Sequence, residues 1–326
     1  MGLLTGLAEK IALFWKRRYG GFKFRLVDFN CLGYLSLIGL LLFIFHEKVE
    51  NWAFYFILHG VLIVSILETV RAGEKNPQRK LLWIMRTFYP VVVILFGWGE
   101  LDALVPMVFG NYWATDSIIR LDKLVFRVHP TLWFQGIYRP WLDELMTFFY
   151  SGYYLFMPVV ILPLYLKGRR EETFAAFSMA TFTYFSNYCL FYLFPTLAPN
   201  MTETLSGLNN NHYTGYFFAE VTRLIQANGA VRGGTFPSSH ISAVLVWSLV
   251  ALRYERVIGY FLMPMAFGVA FSTVYLGYHH AADPFFGFIW GAICYPIALR
   301  LLKLRKEEPL SLASEKLRPN DLYSMI

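Results

Sequence analysis

Two short stretches in the second half of the chain carry the residues with the clearest chemical potential. The first runs from Phe236 to His240 as F-P-S-S-H, and the second runs from Ser272 to Asp283 and includes His279. Both lie at the edges of apolar segments that contain very few ionisable groups. Because ionisable side chains at membrane depth are costly, these residues are candidates for a functional site.

The first stretch is suited to binding a phosphate group. Ser238 or Ser239 can cap a helix that follows Pro237, and the N–H groups at a helix N-terminus bind anions. Gly234 would let the backbone approach a bound group, and Arg232 is the nearest cation in the sequence. We therefore expect Ser238, Ser239, Arg232 and Gly234 to bind phosphate.

The second stretch adds a histidine and a carboxylate at a useful spacing. His279 and Asp283 are four residues apart, which places them on one face of a helical turn. A carboxylate bonded to one imidazole nitrogen fixes the tautomer and leaves the other nitrogen free to attack. A metal site of His279, His280 and Asp283 is the alternative, but adjacent histidines on a helix point apart. We expect His240, His279 and Asp283 to form a catalytic site without a metal.

The elements that must position these residues are predicted to be transmembrane helices. The chain has 326 residues, 56% of them hydrophobic, and its mean hydropathy of +0.44 is too high for an ordinary soluble domain. Its apolar runs approach the roughly 20 residues that a spanning helix needs, and they lack the alternation of barrel strands. The fold class is therefore all-α, a polytopic membrane protein with about eight spans: 29–45, 52–69, 83–101, 144–166, 174–194, 238–252, 257–277 and 284–301.

The positive charges predict the orientation of these helices. Of the 29 Lys and Arg residues, 21 lie in segments 1–28, 70–82, 167–172, 253–256 and 300–326. The positive-inside rule makes those segments cytoplasmic, so that both termini are cytoplasmic and the candidate site faces the opposite side. The basic residues are spread over short loops rather than one face, which argues against a nucleic-acid partner.

The chain is predicted to contain one membrane domain with a charged segment at each end. Residues 1–28 have the pattern of an amphipathic segment on the cytoplasmic leaflet, and residues 303–326 form a charged cytoplasmic tail. Residues 29–302 make up the membrane catalytic domain. In its two long outer loops, 102–143 is predicted to form short helices, and 195–237 is long enough to have a binding role.

The two stretches together resemble the type-2 phosphatidic acid phosphatase superfamily. Residues 237–240 are similar to its P-S-G-H motif, and Ser272, His279 and Asp283 match the spacing of its S-R-x5-H-x3-D motif. The form of the second motif, with the F-P-T-x-A-P run at 194–199, is closer to the inositol phosphorylceramide synthase branch. The resemblance covers roughly residues 120–302, and it implies a six-helix phosphatase-type core at about 83–302.

The resemblance also implies a role for each residue of the site. His279 would attack phosphorus to form a phosphohistidine, Asp283 would orient it, and His240 would protonate the leaving oxygen. The chain departs from the family where phosphate-binding cations are expected: the K-x6-R-P motif is absent, and Thr273 replaces the arginine of the last motif. Arg232 or another outer-loop arginine would have to substitute.

The function implied is that of a lipid phosphatase or phosphotransferase that uses no metal and no cofactor. Its partners would be the bilayer, a phospholipid substrate, and either water or a lipid alcohol as acceptor, as in transfer of a phosphoinositol-type headgroup to a ceramide-like alcohol. A phosphatase of isoprenoid diphosphate or phosphatidic acid-type lipids is the alternative within the same class. A proton-coupled transporter is an alternative from another class. The polar residues Glu68, Glu100 and Asn187 within predicted spans would support it, but the sequence lacks the inverted repeats typical of such proteins.

Overall fold

The computed structural model describes Leu13, residues 17–202 and residues 214–309. These residues form a bundle of helices, which confirms the predicted all-α class. In chain order the α-helices of the described part are α1 (Leu26–Ile44), α2 (Trp52–Lys75), α3 (Lys80–Leu104), α4 (Pro106–Phe109), α5 (Thr115–Phe126), α6 (Pro130–Gly136), α7 (Pro140–Gly152), α8 (Phe156–Leu166), α9 (Arg170–Leu193), α10 (Phe217–Gly229), α11 (Ser239–Tyr254), α12 (Arg256–Tyr275) and α13 (Ala282–Leu304).

Six helical segments of the described residues are long and apolar enough to cross a membrane. They coincide with six of the eight predicted spans, so the prediction of a polytopic helical membrane protein is confirmed. One of them, Pro140–Leu166, consists of α7 and α8 joined by a 3-10 turn at Tyr153–Leu155. The other five are Leu26–Ile44, Trp52–Lys75, Lys80–Phe109, Arg256–Tyr275 and Ala282–Leu304.

The other two predicted spans, 174–194 and 238–252, correspond to α9 and α11 at the centre of the bundle. α9 packs against α1, α3, α8, α11 and α13, while α11 packs against α8, α9, α12 and α13. A helix surrounded by protein can carry polar side chains, because neighbouring helices supply the partners that lipid lacks. Asn187 of α9 accordingly donates to Ser242 of α11 at 2.6 Å. Both predicted segments are helices in the structure. That these two helices cross the membrane stays a prediction.

The connections between the spans also follow the sequence in part. The predicted outer loop 102–143 does form short helices, namely α4, α5 and α6. Most of the predicted N-terminal segment 1–28 and of the tail 303–326 lies outside the described residues, as does 203–213 within the second predicted outer loop. The division into segment, membrane domain and tail therefore stays a prediction.

Two glycines bring α13 into close contact with α11. A Cβ atom on Gly287 would lie 2.7 Å from the carbonyl oxygen of Ser238, and one on Gly291 would lie 2.9 Å from that of Ser242. Small residues four apart allow the backbones of membrane helices to approach closely. The N–H of Ser238 donates to the carbonyl oxygen of Asp283 at 3.0 Å, so the N-terminal ends of the two helices are tied together.

Replacing Gly287 with alanine should therefore destabilise the protein. The added methyl group would collide with the backbone of α11, and overpacking of this kind costs about 1–3 kcal/mol. Thermal unfolding in detergent measures the effect, with Gly99→Ala as a matched control, because a Cβ at Gly99 of α3 meets nothing within 4 Å. Equal midpoints for Gly287→Ala and wild type would contradict the close packing of α11 on α13.

Two sets of ionisable groups inside the spans are close together. Arg86 of α3 is buried and donates to both carboxylate oxygens of Asp28 of α1, at 2.8 and 2.7 Å. Glu100 of α3 accepts from the hydroxyl of Tyr34 at 2.8 Å and lies 3.4 Å from Nε2 of His59. Intramembrane ionisable groups that pair in this way can fasten helices together. These pairs join α1, α2 and α3.

Candidate active site

Three helix ends meet at one end of the bundle and bring the sequence-predicted residues together. His240 lies in the first turn of α11, His279 lies in the connection after α12, and Asp283 lies in the first turn of α13. All three side chains are buried, with 8% of His240, 2% of His279 and none of Asp283 exposed. The structure thus groups the three residues that the motifs singled out.

The two nitrogens of the His279 ring have different neighbours. Nδ1 lies 3.0 Å from Oδ2 of Asp283, so an Nδ1–H group donates to the carboxylate. Nε2 lies 3.1 Å from the hydroxyl of Ser238 and 3.4 Å from Nδ1 of His240. A carboxylate on one nitrogen fixes the tautomer, which leaves the lone pair on Nε2. The nitrogen with the lone pair therefore points to the side where Ser238 and His240 lie.

The backbone around His279 forms a tight turn with local anchors. Gly277 has φ of 75°, a left-handed conformation that glycine adopts without strain. The N–H groups of Tyr278 and His279 both donate to the carbonyl oxygen of Thr273, at 3.0 and 3.1 Å. Thr273, which stands where the family has arginine, thus anchors the turn through its backbone and is itself buried.

Ser238 joins the start of α11 to the histidine. As the N-cap residue it accepts the N–H of Ile241 at 3.4 Å, which supports the predicted cap. Ser239 is 2% exposed, and its carbonyl oxygen accepts from the hydroxyl of Ser242. The backbone N–H groups of the first helical turn have no acceptor within the helix and so favour an anion. This terminus lies beside Nε2 of His279.

Aromatic rings enclose His240, and no sequence pattern indicated which ones. Its ring centroid is 4.5 Å from that of Tyr153, 5.7 Å from that of Trp98 and 6.1 Å from that of Tyr150. Tyr150 in turn accepts a hydrogen bond from the side-chain amide of Gln226 of α10. These rings come from α3, α7 and the turn after it, so no motif near His240 could reveal them.

Two cavities meet at His240. One, of about 120 Å³, is largely apolar and runs between α3 and α8, where Val91, Leu95 and Met157 line it. The other, of about 40 Å³, is more polar and is lined by Asn200, Gln226 and His279, among others. An apolar space on one side and a polar space on the other suit a molecule with a lipid tail and a polar headgroup.

The remaining predicted phosphate-binding residues differ in where they lie. Gly234 lines the polar cavity, and its neighbour Gly233 has φ of 86° and packs so closely that a Cβ would lie 2.6 Å from Val105. The side chain of Arg232 is 65% exposed and forms a salt bridge of 3.0 Å with Asp102. Arg232 does not line either cavity. Its role as the phosphate cation stays a prediction, and binding phosphate would compete with Asp102.

A carboxylate outside the motifs holds the start of α13. Asp122 of α5 accepts the N–H groups of Ala281 and Ala282, each at 2.8 Å. The neighbouring His280 points away from the site, since its Nε2 lies 3.1 Å from the carbonyl oxygen of Leu197. Asp122 lies on the buried face of an amphipathic helix, with Ile118 and Ile119. A charged residue on the apolar face of a helix is the sequence signal that could have identified Asp122 as a functional candidate.

Burial determines the protonation of His279. Burial lowers the pKa of His279 well below its usual value, because the charged ring would lose its hydration. His279 is therefore neutral at pH 7, which is the form that carries a lone pair. In the described part of the chain, no group of three or more His, Cys, Asp or Glu side chains is arranged to hold a metal ion.

The geometry agrees with a comparison at the level of families. Residues 116–297, more than half of the chain, match the PAP2 superfamily, and the match includes α11, α12 and most of α13. This match identifies the superfamily and gives no support to the inositol phosphorylceramide synthase branch in particular. No curated protein and no solved structure matches the chain. With its helical membrane fold and its two histidines and aspartate at one helix junction, the chain belongs to the PAP2 superfamily of phosphatases and phosphotransferases.

Proposed function

We propose that the protein is a membrane-embedded lipid phosphotransferase that acts through a phosphohistidine on His279. The observation that carries the proposal is the placement of the His279 ring, with Nδ1 on Asp283 and Nε2 facing His240. This is the arrangement of an oriented nucleophile beside an acid–base group. The site is also buried, so bulk water does not surround the reacting atoms.

The first step forms a bond between Nε2 of His279 and phosphorus. When the anionic substrate is bound, its negative charge favours the protonated form of His240. The lone pair of Nε2 of His279 attacks, the bond from phosphorus to the leaving oxygen breaks, and the imidazolium of His240 gives its proton to that oxygen. Asp283 stabilises the positive charge that develops on the imidazole. The N-terminal end of α11, with the hydroxyl of Ser238, would face the negative oxygens of the phosphoryl group.

In the second step His240 acts as a base, and the acceptor replaces His279 on phosphorus. His240, now without its proton, takes the proton of an acceptor hydroxyl, and the acceptor oxygen attacks phosphorus as the P–N bond breaks. His279 and His240 then return to their initial protonation states. With a lipid alcohol as acceptor the product is a new phospholipid, and with water it is a free phosphate compound.

The charges of the site favour a phosphodiester as substrate. No Lys or Arg lines either cavity within the described residues, and residues 203–213 contain none in their sequence. A phosphodiester carries one negative charge, whereas a phosphomonoester or a diphosphate carries two or more near pH 7. Because an uncompensated buried charge is costly, a site with few cations is better matched to the single charge. This favours headgroup transfer over hydrolysis of an isoprenoid diphosphate.

The cavities fit the same type of substrate. The apolar cavity between α3 and α8 reaches His240 and would take part of a lipid tail, while amide side chains of Asn200 and Gln226 line the polar one. Neutral amides can donate and accept hydrogen bonds with an uncharged polyhydroxylated headgroup. We therefore propose transfer of a phosphoinositol-type headgroup to a ceramide-like alcohol.

An acceptor-dependence assay tests this function. Purified protein is incubated with a phosphodiester lipid labelled in its headgroup, with and without ceramide, and His279→Ala serves as the inactive control. We expect a new labelled phospholipid that forms only when ceramide is present, with little free headgroup phosphate. Release of headgroup phosphate at the same rate without any alcohol would contradict the transferase and indicate a hydrolase.

A further inference from the structure

A helix that lies outside the catalytic motifs holds the turn between the nucleophile and its orienting carboxylate. Both carboxylate oxygens of Asp122, on α5, accept backbone N–H groups from this turn, those of Ala281 and Ala282 at 2.8 Å. The side chain is 2% exposed. It does not line either cavity and so does not touch a substrate there.

The two N–H groups occupy a critical place in the chain. Ala281 and Ala282 come directly before Asp283, and the N–H groups at the start of α13 have no acceptors within the helix. Asp283 donates its own N–H to the carbonyl oxygen of His280 at 3.0 Å, so the turn is compact. Fixing the two preceding N–H groups therefore fixes Asp283 relative to His279.

A second link from α5 reaches the same turn. The hydroxyl of Thr115, in the first turn of α5, accepts the N–H of Leu197 at 2.9 Å. The carbonyl oxygen of Leu197 in turn accepts from Nε2 of His280 at 3.1 Å. α5 thus contacts the turn directly through Asp122 and indirectly through Thr115.

The burial of Asp122 argues against an incidental contact. It lies on the buried face of α5 with Ile118 and Ile119, where an apolar residue would avoid the cost of removing a carboxylate from water. The hydrogen bonds to Ala281 and Ala282 offset that cost. The carboxylate is thus used where two backbone donors of the turn require an acceptor.

We propose that Asp122 is a positioning residue of the active site, which holds the His279–Asp283 turn so that Nε2 of His279 faces the phosphorus. The proposal rests on the proposed role of His279 as nucleophile. Asp122 acts through the backbone of Ala281 and Ala282 and takes no part in proton transfer.

Binding of orthovanadate, a phosphate analogue that accepts an imidazole nitrogen as a fifth ligand, tests the proposal on the purified full chain in detergent. We expect Asp122→Ala to weaken this binding by about 10²-fold, since a shift of roughly 1 Å in a reacting group can cost that much. Asp122→Asn keeps one acceptor oxygen and should be intermediate. Asp116→Asn, an exposed carboxylate on the same helix, is the matched control and should bind as wild type does.

Hydrogen exchange separates positioning from general loss of structure. In Asp122→Asn, exchange should rise in the peptide that contains residues 277–284 and stay unchanged in α9. A rise of equal size in α9 would mean a general destabilisation and would overturn the proposal. Wild-type vanadate affinity in both Asp122 variants would also overturn it, while leaving the role of His279 intact. Wild-type affinity in His279→Ala would instead remove the proposed function, and the role of Asp122 with it.

Discussion

Replacing His279 with alanine should abolish headgroup transfer, with a fall in turnover of roughly 10⁴-fold or more, as expected when a catalytic nucleophile is removed. The ring supplies the nitrogen that attacks phosphorus, and it lies between Asp283 and His240, 3.0 Å from the first and 3.4 Å from the second. Asp283 would keep its hydrogen bond from the N–H of His280 at 3.0 Å, so the turn retains an anchor without the ring.

Steady-state transfer of a labelled headgroup measures this effect. His46→Ala is the control, because His46 lies in the connection between α1 and α2, far along the chain from the site, and contacts the carbonyl oxygen of Phe43. The control should transfer at the wild-type rate. Transfer by His279→Ala at that same rate would contradict the assignment of the nucleophile.

Replacing His240 with glutamine should lower turnover of a natural lipid by about 10²–10⁴-fold, the usual contribution of a general acid. The loss should depend on the leaving group. A p-nitrophenyl phosphodiester releases a stable phenolate that needs no proton, so the first step should proceed nearly as fast in the variant as in wild type. The second step still needs a base, and the intermediate should accumulate.

Stopped-flow release of p-nitrophenol measures the two steps separately. In His240→Gln we expect a rapid burst of one equivalent per enzyme, followed by slow turnover. Tyr260→Phe, an exposed side chain on α12 away from the site, is the control and should show wild-type kinetics. A burst phase that is absent, or slowed by the same factor as lipid turnover, would contradict the role of His240 as the acid.

The sequence predicted the helices and the meeting of the three proposed catalytic residues because both depend on short-range patterns. Apolar runs set the helices, and the motifs around His240 and His279 lie at helix ends that an alternating topology must bring to one side. Two of the predicted spans differ from the expectation: α9 and α11 are too polar or too short to count as membrane-spanning helices by length and composition. Burial by neighbouring helices explains this, since α9 needs no lipid-facing surface of its own.

What the sequence could not predict depends on contacts between remote segments. Tyr153 and Trp98 enclose His240 from other helices, and only the folded structure brings these rings to it. Asp122 lies 159 and 160 residues before the two N–H groups that it binds, on a helix that resembles an ordinary loop helix. The pairing of Arg232 with Asp102 likewise depends on the packing of the segment before α11 against the end of α3.

The most direct test of the proposed mechanism is to trap the covalent intermediate. His240→Gln is mixed with a p-nitrophenyl phosphodiester labelled at phosphorus, quenched in alkali during the burst, digested and analysed by mass spectrometry. We expect one labelled peptide, which contains His279, with a linkage that is stable in alkali and labile in acid, as a phosphorus–nitrogen bond to histidine is. A label on any other residue, or a burst that leaves no label on the protein, would contradict a phosphohistidine at His279.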